Sequence, residues 1–228
     1  MKRQFVICAL VLLLGWTAKA GVIYSSFANS GLIPDGSPSG TAATATTSGF
    51  LPALSDISVT LNISGGYNGD LYAGLSHGGV LVPLLNRVGV TSGNSFGYGD
   101  TGFSVTLSSA GVNDVHSYGS HSPSFNGDGQ LTGTWQPDGR TIDPQSSPSS
   151  FDSASRMNFG SFDGTNPNGT WTLFLADLSM GEQSTLVSWS LDITAIPEPT
   201  NIALGILASG FAACEAFRRW RSLARRES

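Results

Sequence analysis

The chain has 228 residues, of which 40% are apolar, only 12% are charged and 29 are glycine; half the usual charge beside nearly twice the usual glycine suits short strands and many turns in one domain. Between Gly21 and Ala195, twelve Asp and Glu182 face only Arg87, Arg140 and Arg156, a balance of −10 without a lysine, which excludes the basic face that nucleic-acid binding needs. Both cysteines, Cys8 and Cys214, lie in terminal apolar segments, so a disulfide-stapled core and a cysteine zinc site are excluded.

The chain opens with Lys2 and Arg3, an apolar run from Phe5 to Leu14, and the small residues of Ala18-Lys19-Ala20. That order predicts a secretory signal peptide over residues 1–20, helical in its apolar part and cut after Ala20. Its apolar run of about ten residues is short for a retained membrane span.

From Gly21 to Ala195 no window places apolar residues at helical spacing for three turns, and several alternate with period two. Ile57, Val59, Leu61 and Ile63 alternate with polar residues, Leu71, Ala73 and Leu75 repeat the pattern, and Val80 to Leu85 forms a nearly continuous apolar run. Phe103, Val105 and Leu107 alternate, as do Trp171, Leu173 and Leu175, then Leu186, Trp189 with a local irregularity, Leu191 and Ile193. Gly65-Gly66, His77-Gly78-Gly79, Asn126-Gly127-Asp128-Gly129 and Asn166-Pro167-Asn168-Gly169 supply the turns between them. The pattern predicts an all-β domain of short antiparallel strands, a sandwich or jelly roll.

Residues 110–157, rich in Ser, Gly, Asn, Asp and Pro, read as a long loop region. It is either a functional surface loop or hides short strands around Gln130 to Trp135. Tyr118 and Trp135, expected to be exposed in it, would stack on sugars or pin the loop to the core.

Gly74-Leu75-Ser76-His77-Gly78 matches the GxSxG nucleophile elbow, which needs a following helix, and a strand follows instead. Gly97-Tyr98-Gly99-Asp100-Thr101-Gly102 satisfies GxGxxG, again without a helix N-terminus, and reads as a glycine-rich loop. His77, His116 and His121 do not have the i, i+4 spacing of a helical zinc site. The carboxylate excess instead favours a hard cation such as Ca²⁺. Asp70, Asp163 and Asp177, at or beside strand ends, are the candidate ligands, and Asp100 sits in a mobile-looking glycine-rich loop; turn-capping explains most of the twelve aspartates.

Ile33-Pro34-Asp35-Gly36, Ile57-Ser58-Val59-Thr60-Leu61, Gly69-Asp70-Leu71, Leu84-Leu85-Asn86-Arg87, then Asn168-Gly169-Thr170-Trp171-Thr172-Leu173, Asp177, Gly181, Thr185-Leu186 and Ser188-Trp189-Ser190-Leu191 occur in that order. The set resembles the P/Homo B domain that follows the protease domain of subtilisin-like proprotein convertases. Tyr67 stands where that family commonly has His, and Ser76-His77-Gly78-Gly79 replaces its Ser-Pro-x-Gly turn. The resemblance implies a jelly-roll-like β-sandwich over residues 21–195, and a role in the folding and Ca²⁺ dependence of a neighbouring protease. No subtilisin catalytic domain fits beside it in this chain, so the domain is expected not to be an enzyme.

The end of the chain, residues 196–228, carries Pro197-Glu198-Pro199, an apolar stretch over residues 202–217 predicted as a transmembrane helix, and a basic tail over 218–228. Arg218, Arg219, Arg221, Arg225 and Arg226 against Glu227 give that tail +4, and the positive-inside rule leaves residues 21–195 outside. Glu215 stands three and four residues before Arg218 and Arg219, within pairing distance on a helix. This three-part ending resembles the PEP-CTERM sorting signal of exopolysaccharide-producing Gram-negative bacteria. It implies a transient stay in the inner membrane, processing near Pro197–Pro199 by an exosortase-type membrane protease, and a secreted or cell-surface product. Three readings follow: a non-catalytic surface or matrix module that binds exopolysaccharide or a surface protein, an accessory domain acting in proteolysis with a separate subtilisin-like protease or a remote hydrolase, and an inert matrix filler.

Overall fold

A strand that alternates apolar and polar residues buries one face only, so several of them need a second sheet to cover that face. The structure, a computed structural model, describes residues 19–25, 31–196 and 199–224. Its strands in chain order are β1 (Lys19–Ser25), β2 (Ser37–Thr47), β3 (Ala53–Ser64), β4 (Leu71–His77), β5 (Val80–Asn86), β6 (Phe103–Ser108), β7 (Leu131–Trp135), β8 (Gly169–Asp177) and β9 (Thr185–Ile196), followed by helix α1 (Pro199–Ala224). One sheet has the order β1-β9-β3-β6-β7 and the other β2-β8-β4-β5. Their inward residues, among them Ile57, Val59, Leu61 and Ile63 of β3 and Trp171, Leu173 and Leu175 of β8, form one apolar core.

Most predicted strands stand where the alternation placed them. The irregularity at Trp189 is a bulge: β3 and β9 pair Asn62 with Ser188 but Ile63 with Leu186, which leaves Val187 out of register and exposed. β5 carries Pro83 because it is an edge strand, where a missing N–H breaks no ladder. β1 and β2 were not foreseen. The inward residues of β2 are Ala43, Ala45 and Thr47, too small and too mildly apolar to register as a pattern.

The antiparallel expectation needs one correction. β7 pairs with β6 in parallel, and a parallel neighbour demands a crossover of a dozen or more residues. Residues 109–130 make that crossover, so half of the loop region exists because Leu131–Trp135 is indeed a strand. Tyr118 and Trp135 are not exposed stacking platforms either: both are buried in the core, the Trp135 indole donating to the Thr132 carbonyl at 2.9 Å.

The two ends are described only in part. Residues 1–18 of the signal peptide expected over 1–20, and Pro197 and Glu198, lie outside the described residues. The cut expected after Ala20 falls two residues inside β1, beyond which Gly21 to Ser25 stay in register with Ile193 to Trp189 of β9. Pro199 begins α1, which contains the whole of 202–217. Its membrane-crossing role is not found there: among the described residues no helix is long and apolar enough to span a bilayer. The apolar run has sixteen residues where a span takes about 20, and Glu215 interrupts it, its carboxylate 3.6 Å from the exposed Arg218. Arg219 and Arg221 continue the same helix.

Candidate functional site

Two acidic clusters emerge from the fold. The first lies under the loop region, where Asp138 is fully buried. Its carboxylate accepts from Asn86 N at 3.1 Å, His116 Nδ1 at 2.7 Å and Arg140 Nη1 at 3.1 Å. Arg156 Nη1 reaches Asp114 at 2.9 Å and its Nε donates to the Asp138 carbonyl at 2.8 Å. This is a geometry for holding chain together: Asp114, His116, Asp138, Arg140 and Arg156 all belong to the segment that lacks apolar periodicity. The His116–Asp138 pair has the look of a catalytic dyad, but His116 Nε2 stands 2.9 Å from the Val90 carbonyl oxygen, so no hydroxyl faces it.

The motif residues are occupied in the same way. Ser76 sits on β4 with its Oγ 3.5 Å from the Thr172 carbonyl, ahead of a hairpin turn in which Gly78 and Gly79 both have positive φ, 57° and 84°. The His77 ring stacks on Trp171 with centroids 4.0 Å apart, and its two nitrogens lie 2.9 and 2.7 Å from the Thr170 and Asn166 carbonyls. His121 stands beside Ser117.

The second cluster runs from the buried Asp177 through the half-buried Asp70 to the exposed Asp35. Asp70 ends a single 3₁₀ turn over Asn68–Asp70 just before β4, and Asp177 ends β8 beside it, joined by Leu178 N donating to the Asp70 carbonyl at 2.9 Å. Asp35 stands on the adjoining turn before β2, its carboxylate accepting from Gly181 N at 3.1 Å. Asp163 does not join them: it lies exposed after a 3₁₀ turn over Phe159–Phe162, near Asp56. The predicted Ca²⁺ set of Asp70, Asp163 and Asp177 therefore does not assemble, and among the described residues no group of three or more His, Cys, Asp or Glu is placed to hold a metal ion.

Burial pushes the Asp177 carboxyl up to about 6, aided by the charges of Asp70 and Asp35 and opposed by its bonds from Ser179 N and Ser184 Oγ. Burial likewise raises Asp70, with a further push from Asp35, against a Ser179 hydrogen bond and the Arg87 charge.

Beside Asp70 lies an open groove of about 400 Å³, lined by Tyr67, Phe96, Gly97, Tyr98, Gly99, Ser179 and Met180. Its floor is rigid for a reason visible in the sequence. Asn68 is buried, its amide exchanging hydrogen bonds with the Gly102 N–H at 2.8 Å and carbonyl at 3.2 Å, while Gly69 N donates to the Tyr98 carbonyl at 2.8 Å. Gly69 and Gly97 let the two backbones touch: a Cβ on Gly69 would stand 2.2 Å from the Phe96 carbonyl oxygen. The GxGxxG segment is thus a wall of the groove. On this floor Phe96 is 83% exposed, Met180 88% and Tyr67 44%, apolar area that the described residues leave uncovered. The sequence offered a weak signal for them, aromatic residues in a Gly- and Ser-rich stretch between strands.

No family model matches the chain, and no curated protein matches it. Among solved structures it is similar to the serine protease of Aeromonas sobria, in complex with the chaperone ORF2 at 18% identity and a TM-score of 0.43, and alone at 17% and 0.41. Each comparison covers 78% of this chain and 26% of that one, so the chain spans about a quarter of the length of the protease chains it matches.

Proposed function

We propose that the chain is a non-catalytic binding module of the cell surface or extracellular matrix, and that the Tyr67–Phe96–Asp70 groove is where it holds its partner. The two sheets fit a jelly-roll sandwich with one added strand: leaving out β7, their orders become β1-β9-β3-β6 and β2-β8-β4-β5, all antiparallel. The observation that carries the reading is the contrast between occupied and open chemistry. Ser76, His77 and His116 each face a backbone carbonyl of their own chain, whereas the groove presents the exposed rings of Tyr67 and Phe96 and the half-buried Asp70 carboxylate over a fixed floor. Secretion by way of residues 1–20, and sorting at Pro197–Pro199 by an exosortase-type protease, would deliver the domain to that surface.

The test is saturable binding of the full chain to the surface of cells that produce it. The reading expects the double variant Tyr67→Ala, Phe96→Ala to lose that binding while keeping its melting temperature, and a fluorophosphonate to leave Ser76 unmodified. Labelling of Ser76 in the folded chain would assign it to the hydrolases instead.

A further inference from the structure

Resting on the groove as the binding site, we infer that its ligand is a basic segment of a protein partner, a lysine or arginine side chain seated between Tyr67 and Phe96 against the Asp70 carboxylate. Three observations carry this choice. A cation is attracted to the faces of aromatic rings, and the exposed Tyr67 and Phe96 line one groove, while the Tyr98 ring packs against Gly89, Gly119 and Tyr118 behind it. The groove has a carboxylate on its wall and two more behind it: Asp70 lines it, Asp177 ends the paired strand, and Asp35 bonds to Gly181, next to Met180. Among the described residues, no lysine or arginine side chain lines the groove. Arg87 turns to the Gly69 and Ser95 carbonyls at 3.3 and 3.4 Å, while Arg140 and Arg156 are tied to Asp114 and Asp138.

The whole domain supports the same sign, since thirteen acids face three arginines between Gly21 and Ala195. That excess attracts a basic partner from a distance. A neutral polysaccharide would use the rings but gain nothing from the charge, and an acidic one would be repelled. The volume, at the low end of ligand sites, suits one or two side chains of an extended segment. Binding a cation also favours the ionised forms of Asp70 and Asp177, so protons leave as the ligand enters and affinity rises with pH. The charged groups facing Asp70 are Arg87 and Asp35, and those facing Asp177 are Asp70 and Asp35.

The experiment is calorimetry on the full chain with acetylated, amidated tetralysine and tetraarginine as probes, and tetraglutamate and cellotetraose as comparators. One basic peptide is expected to bind per chain, about fivefold or more weaker in Asp70→Asn and in Phe96→Ala, and weaker at pH 5 than at pH 7.5. Asp128→Asn, which removes the same charge from an exposed turn away from the groove, should change nothing. Equal losses in Asp70→Asn and Asp128→Asn would reduce the binding to diffuse attraction and overturn the inference, as would cellotetraose binding that depends on Phe96. If neither peptide binds while cell-surface binding still depends on Tyr67 and Phe96, only the basic ligand is wrong; if surface binding ignores those residues, the groove itself fails.

Discussion

The two acidic clusters contain the same side chains and differ in what surrounds them. Around Asp138 the carboxylates meet Arg140, Arg156 and His116 and disappear from solvent, and the result is a clamp on the segment from 110 to 157. Around Asp70 and Asp177 the acids meet mainly one another and hydroxyl or N–H donors, with Arg87 close to Asp70; Asp177 is buried behind, and Asp70 borders an open groove. Acid content therefore does not mark a functional site in this chain. A half-buried carboxylate bordering uncovered aromatic surface does.

Breaking the clamp should have the largest effect. Asp138→Ala strips a buried guanidinium and imidazole of their partner and leaves Asn86 N without its acceptor, so about 3–5 kcal/mol of stability should be lost, read from urea denaturation. Gly69→Ala tests the floor of the groove. Its new Cβ meets the backbone at Phe96 and Gly97, 2.2 to 2.9 Å away, and should lower stability by about 1–3 kcal/mol while abolishing groove binding.

A smaller effect separates the clusters by pH. Asp177 binds its proton more tightly when folded, about 6 against 3.8 for the free side chain, so between those values the folded state holds more protons than the unfolded one. Its contribution to stability is thus present below pH 4 and is lost as pH rises through 6. Asp177→Asn should remove that loss and gain about 1–2 kcal/mol above pH 6, measured by denaturation across pH 4–7.5. Smallest of all, Phe96→Ala should change stability by less than about 0.5 kcal/mol, because the ring covers nothing in the free protein. Millimolar Ca²⁺ should leave the melting temperature where it is; a rise that Asp177→Asn abolishes would return the open cluster to a hard cation.

Most of the strand positions were legible because β3, β6, β8 and β9 alternate large apolar residues, a signal independent of their partners. β2 was not, since it buries alanine and threonine, nor was the parallel direction of β7, which is set by a crossover that leaves no local trace. The open cluster was half legible. Asp70, Asp163 and Asp177 all read as strand-end acids, but Asp163 lies after a separate 3₁₀ turn near Asp56, and Asp35 joins the other two across the turn at Gly181, which no local pattern signals. Phe96 and Met180 could not be singled out, because exposure is a property of the folded surface and an aromatic residue in a turn is as often anchored, as Tyr118 proves to be.

The account stands most directly on one isotherm: full-length protein titrated onto the surface of its own cells, wild type against Tyr67→Ala, Phe96→Ala at matched folding. It predicts a saturable curve for the wild type and a flat one for the variant. Two superimposable curves would contradict it.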